Sequence, residues 1–147
     1  MRLTATIALI VLVSVWAGIV IGVSLMATPV KFQASSLAMP TALEVGRYTF
    51  RLLARVELCL LIAMIVFAGL ARPSFAAVVM LIVVVLAVVV QRLWLLPALD
   101  ARVAAILAGT AVTGSSLHRV FALLECVKSA LLIGSGAVES WRISRGT

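Results

Sequence analysis

Charge is what this sequence has least of. Only 12% of its 147 residues are charged and 65% are hydrophobic, where a soluble domain carries about 25% charge and about 45–50% apolar residues. A chain so poor in charge cannot clothe itself in a solvated surface. A water-soluble globular domain is therefore excluded, and an integral membrane protein is expected. Histidine occurs once, so one chain cannot supply two axial haem ligands. There is no metal triad, no nucleophile–base pair with a third member and no phosphate-binding loop. A non-enzymatic protein is expected, with no catalytic residue and no cofactor predicted. Cys59 and Cys126 have no CxxC spacing and both fall inside apolar segments, so each reads as an ordinary thiol. Runs of Lys or Arg are also missing, so the net charge of +7 does not point to nucleic acid as a partner. Scattered basic residues in such a chain mark cytoplasmic ends, headgroup contacts or intramembrane ion pairs.

What the sequence does contain is four long apolar stretches, each near the roughly 20 residues that cross a hydrocarbon core of about 30 Å. They are 4–27, closed by Pro29; 48–70, closed by Arg72-Pro73; 74–96, closed by Pro97; and 117–138, ending before Glu139. In lipid the backbone must satisfy its own hydrogen bonds, so these read as helices of an all-α bundle in a single transmembrane domain. A β-barrel would need alternating segments of about 10 residues, which are absent. The first apolar run exceeds the 7–15 residues of a signal peptide, so it is expected to be retained.

RLLARVE (51–57) sets three charges at the mouth of the second segment, and RVFALLE (119–125) lies over it at an offset of 68. Arg51/Arg119, Ala54/Ala122 and Glu57/Glu125 fall in register, and so do Leu25/Leu93, Pro29/Pro97 and Gly46/Gly114. The chain thus reads as two copies of a two-helix unit, a parallel repeat about an axis along the membrane normal. Glu57 and Glu125 would both lie about nine residues, roughly 14 Å, inside their helices. A charge at that depth costs at least about 2.5 kcal/mol, so both must face inward with partners or be protonated.

The expected intramembrane polar cluster comprises Arg51, Arg55, Glu57, His118, Arg119, Glu125 and Lys128. Glu125 and Lys128 are an i,i+3 pair. Glu57 has no cation at helical spacing and looks to another helix: Arg119, Lys128, His118, or Glu125 as an acid–carboxylate pair. Arg51, Arg55 and Arg119 also suit snorkelling to headgroups. The two glutamates suit a structural clamp as well as a proton, ion or ligand site, and His118 suits an interfacial position. Ser14, Gly18 and Gly22, at spacing four, form a helix-packing face for a neighbouring helix, within the bundle or in a homodimer. The connections 31–47 and 100–114 are too apolar for floppy linkers and read as helical extensions over the bundle mouth. Trp94 beside Arg92 and Trp141 beside Arg142 suit headgroup-level anchors.

ATPVKF (27–32), GRYTFRLL (46–53), LLPALDAR (95–102) and LHRVFALLE (117–125) resemble a family of small four-helix membrane proteins, the transmembrane-protein-205-like group, and more distantly the copper-resistance D-type membrane domains. The resemblance covers most of the chain on short motifs. It implies the four-helix fold and residence in a bacterial membrane, and it implies no chemistry. Met26, Met39, Met80, the cysteines and His118 lack copper-motif spacing, so no metal site is assigned.

The leading functional expectation is a small accessory subunit that packs against partner membrane subunits or as a homo-oligomer in the lipid bilayer. The alternative is a small oligomeric transporter or channel for a proton, ion or small solute, built on Glu57 and Glu125. A haem or quinone at an oligomer interface, held by His118, is a third reading. The short basic N-terminus favours both termini cytoplasmic, in the bacterial inner membrane that the resemblance implies.

Overall fold

The computed structural model describes residues 1–110 and 116–146; Gly114, expected to pair with Gly46 in a repeat, lies outside them. Four helices, each long and apolar enough to cross a membrane, make up the fold: α1 (Arg2–Lys31), α2 (Met39–Ala71), α3 (Phe75–Leu107) and α4 (Leu117–Ser144). Among the described residues there is no strand. Helix α1 packs along both α2 and α4, and α3 packs along α4. Helices α2 and α3 touch chiefly where α2 lies on residues 96–107 of α3. The order around the bundle is therefore 1-2-3-4, antiparallel at every step, with a loose seam between α2 and α3.

The inward stripes follow helical spacing. On α1 they are Leu9, Val13, Trp16, Ala17 and Val20, and on α2 they are Leu53, Glu57, Leu61 and Met64. The stripe of α4 is largely polar: Glu125, Lys128, Ser129, Ser135 and Glu139 are all buried. The outer surface shows the reverse, with Ile7, Val11, Ile62, Ile65, Ile82, Leu86 and Ile133 all exposed. Burial also recurs at a spacing of 68 residues. Leu53/Phe121, Glu57/Glu125, Met64/Leu132, Val13/Leu81, Trp16/Val84 and Val20/Val88 are buried on both sides of the pairing.

The expected helix ends at Pro29 and Pro97 are not ends. Both helices run through their proline, α1 to Lys31 and α3 to Leu107. Just upstream the backbone widens into a π-turn, at Ile21–Ala27 in α1 and at Gln91–Leu95 in α3. There the Thr28 N–H donates to the Val23 carbonyl and the Leu96 N–H to the Gln91 carbonyl, five residues back in each case. The Thr28 hydroxyl adds a second hydrogen bond to the Val23 carbonyl at 2.9 Å. The wide turn makes room for a ring that would clash with, and fails to bond, the carbonyl of the preceding turn. The two π-turns stand in the same 68-residue register.

Helix α4 likewise does not stop before Glu139 but continues to Ser144. Glu139 is buried because its charge is met: Oε1 accepts the Ser74 N–H at 2.8 Å and Oε2 lies 2.8 Å from Arg142 Nη2. Ser74 caps α3, its hydroxyl accepting from the Ala77 N–H. Arg72, left-handed at φ 53, ends α2. Glu139 and Arg142 thus tie the α2–α3 turn to the last turns of α4, with Arg142 Nη1 donating to the Arg72 carbonyl.

Candidate functional site

Three of the four helices meet at one ammonium, and α1 joins them through Glu57. Lys128 of α4, fully buried, reaches across the bundle axis to lie 2.5 Å from Glu57 Oε1 on α2. It lies 2.7 Å from Glu125 Oε1 one turn back on its own helix, and 2.9 Å from Gln91 Oε1 on α3. These three acceptors use every N–H of the ammonium. Trp16 of α1 closes the ring: its indole N–H donates to Glu57 Oε1 at 2.9 Å. Gln91 donates its amide N–H to Glu125 Oε1 at 2.6 Å, so it bridges the lysine and the carboxylate.

Local winding puts each group in place. Glu125, Lys128 and Ser129 share one face of α4, and the Ser129 hydroxyl donates back to the Glu125 carbonyl at 2.8 Å. Gln91 is the first residue of the α3 π-turn, which directs a polar side chain into a bundle whose neighbouring positions are aliphatic. Glu57 stands 14 residues before the end of α2, roughly 21 Å along the axis.

Counted as charges, two carboxylates face one ammonium, which leaves the centre one negative charge in excess. Glu125 Oε2 is buried with no hydrogen-bond partner among the described residues. Toward the termini the centre is sealed by Leu9, Val13, Leu61, Met64, Leu81 and Leu132. Toward the α2–α3 seam it is not sealed: Glu57 and Gln91 border a gap of about 20 Å³, walled by Phe50, Leu53, Leu96 and Phe121 and by Arg92, whose Nη1 donates to the Ala54 carbonyl at 3.0 Å. That is room for one water. Phe50 stacks edge-on against Phe121 with centroids 5.0 Å apart. Phe50 and Leu96 also line a cavity of about 340 Å³ at the bundle mouth.

The remaining residues expected in the cluster lie elsewhere. Arg51 pairs with Asp100 of α3, Nη2 to Oδ2 at 2.6 Å and Nε to Oδ2 at 2.7 Å, and Arg47 approaches the same acid at 3.4 Å. Arg55, His118 and Arg119 are exposed, and His118 lines the mouth cavity. The physical reason is register: Arg51, His118 and Arg119 sit nearly two turns nearer the mouth than the glutamates, while Arg55, two residues before Glu57, stands about 200° around α2 from it. The Gly18 and Gly22 part of the expected packing face is not used inside the bundle, while Ser14 Oγ borders the α1–α4 contact, 3.8 Å from where a Cβ of Gly136 would stand. Ser14 and Gly18 are exposed, no atom comes within 4 Å of where a Cβ of Gly18 or Gly22 would stand, and the Ser14 hydroxyl bonds its own helix at Ile10. The close approach of α1 to α4 occurs instead at Gly136, where a Cβ would stand 3.2 Å from Val13 Cγ2.

Two members of the centre, Trp16 and Gln91, escape a charge-based reading. The available signal was polarity by itself: each carries a hydrogen-bonding group in an otherwise aliphatic run, and such a group in lipid must find a partner. Among the described residues no group of three or more His, Cys, Asp or Glu side chains is arranged to hold a metal. Compared with known proteins, the chain matches no family model, no curated protein and no solved structure.

Proposed function

We propose that the chain is an integral membrane protein of the transport class, non-enzymatic, whose buried centre binds one proton. The observation that carries this is the second carboxylate. A clamp between helices needs one glutamate for one lysine. A further carboxylate leaves an uncompensated charge, and such a charge in a dry interior costs several kcal/mol. A proton removes that cost. A metal cation would have to sit beside the Lys128 ammonium with no further acidic ligand, so the proton is the better fit. The water-sized gap beside Glu57 supports access from the mouth, and the apolar layer below supports access from that side alone. Transfer to the other side then requires the bundle to rearrange, for which the π-turns of α1 and α3 are suitable hinge points.

The membrane reading rests on the aliphatic outer surface, on helix length and on the exposed Trp94 and Trp141, which suit headgroup level. The parallel duplication is supported by the matched burial and matched π-turns. Residence in a bacterial inner membrane with both termini cytoplasmic, and kinship with the transmembrane-protein-205-like group, belong to the same proposal. The test is proton flux in proteoliposomes under an imposed pH gradient, with Glu57→Gln and Glu125→Gln. Both substitutions should abolish flux while the protein stays folded. Flux unchanged in both overturns the proposal.

A second reading is the accessory subunit that packs against partner helices or a second copy. The outward Ser14, Gly18 and Gly22 face favours it, because small residues let a neighbouring helix approach closely in lipid. Native mass after mild-detergent extraction tests it: a lone monomer counts against it.

A further inference from the structure

We infer that the mouth cavity is a binding site for an amphipathic anion, a carboxylate or phosphate head carrying a short apolar body. The cavity, about 340 Å³, is enclosed by the end of α1, the first turns of α2, residues 96–106 of α3 and the start of α4. That volume is near the lower end of the about 300–1,000 Å³ of small-molecule sites. Its walls are apolar, with Phe32, Leu43, Phe50, Leu96, Leu99 and Ile106 among them.

The charged groups around it are mostly basic, with a single acid among them. Lys31, Arg47 and Arg102 line it together with His118, and Asp100 is the one acid in the same lining. Asp100 is already engaged by Arg51 and approached by Arg47. Arg47 Nε is buried at 3.4 Å from Asp100 Oδ1 without the geometry of a hydrogen bond. The Lys31 ammonium has no carboxylate partner among the described residues; it lies 5.0 Å from the Phe32 ring centroid and 5.9 Å from that of Phe50. An apolar chamber rimmed by cations in excess of acids selects a ligand that is greasy at one end and negative at the other. A cationic amphipath is rejected by the same groups. The site does not depend on proton transfer and requires no flux, so it stands or falls separately from the proton-binding centre.

The experiment uses the full chain in a non-ionic detergent, with dodecyl phosphate as the probe and dodecyltrimethylammonium as the control, read by native mass spectrometry and calorimetric titration. Dodecyl phosphate should bind once per chain and the ammonium compound should not. Lys31→Gln and Arg102→Gln should each weaken binding roughly ten-fold by removing a charge-assisted contact. Val103→Trp, which fills the cavity without changing charge, should abolish binding while leaving the melting profile in place. A parallel arm reconstitutes the chain in phosphatidylcholine with and without phosphatidylglycerol. One phosphatidylglycerol retained per chain, and lost in Lys31→Gln, identifies the head as a lipid's. No such retention, with dodecyl phosphate still bound, identifies a free amphipathic anion. Absence of dodecyl phosphate binding overturns the inference, and so does equal binding by the Val103→Trp chain or by the cationic control.

Discussion

Replacing Lys128 by Met is the sharpest perturbation of the buried centre. Methionine keeps an unbranched apolar stem, one atom shorter than lysine, and removes the ammonium that lies 2.5 Å from Glu57, 2.7 Å from Glu125 and 2.9 Å from Gln91. Breaking a buried ion pair by deleting one partner costs about 3–5 kcal/mol. A second route gives a similar figure. Discharging one carboxyl of ordinary pKa, about 4.3, at pH 7 costs about 2.7 pH units at 1.36 kcal/mol each, or about 3.7 kcal/mol. At about 2–4 °C per kcal/mol for a chain of this size, the melting temperature should fall by roughly 6–20 °C. The same arithmetic makes the deficit shrink at lower pH, because discharging the same carboxyl at pH 5 costs only about 1 kcal/mol. Glu125→Gln acts on the same cluster in the opposite sense: it removes the excess charge and retains an acceptor for Lys128 and Gln91. It should melt within about 3 °C of the parent, the span of a change near 1 kcal/mol. The assay is thermal unfolding by circular dichroism in non-ionic detergent at pH 7 and pH 5. A Lys128→Met chain that melts with the parent, or a Glu125→Gln chain that melts as low as Lys128→Met, refutes the charge argument.

Three further outcomes follow from the contacts around the centre. Trp16→Phe removes the indole hydrogen bond to Glu57 and should cost about 1.5–3 kcal/mol, as a bond to a charged acceptor does, read in the same melt. Gly136→Leu drives a side chain into the α1–α4 contact, where even a Cβ stands 3.2 Å from Val13. It should lose about 1–3 kcal/mol to overpacking, and a melt equal to the parent would show that the helices can part there. Glu139→Ala leaves the Ser74 N–H and Arg142 without their acceptor and should loosen the α2–α3 turn by about 1–3 kcal/mol. Faster amide exchange at residues 72–77 than in the centre of α3 checks it, and uniform exchange would contradict it.

The parts of this fold legible in the sequence are those set by hydropathy and by rare letters. Four apolar runs give four helices, each long and apolar enough to cross a membrane, a setting in which the backbone would have no alternative. Five acids occur in the chain, and Glu57, Glu125 and Glu139 are buried while Asp100 joins two arginines. Glu57 meeting a cation on another helix could be read from the lack of one at helical spacing. Which cation it meets could not: Lys128 and Arg119 lie on the same helix, and the choice depends on how far that helix slides past α2. The prolines misled because the rule that they end a helix assumes a regular α-turn upstream. A π-turn removes the clash, and its only local sign here is the threonine before Pro29. Gln91 was hidden for the same reason, since its inward aim comes from the widened turn and not from a 3.6-residue period.

The most direct measurement on the proposed proton-binding centre is infrared difference spectroscopy of the carboxylic-acid carbonyl stretch, on the intact chain at pH 7 in light and heavy water. One protonated-carboxyl band, shifted in heavy water and absent from both Glu57→Gln and Glu125→Gln, is expected. A spectrum in which both glutamates are ionised, with no such band at pH 7 or pH 6, would contradict it.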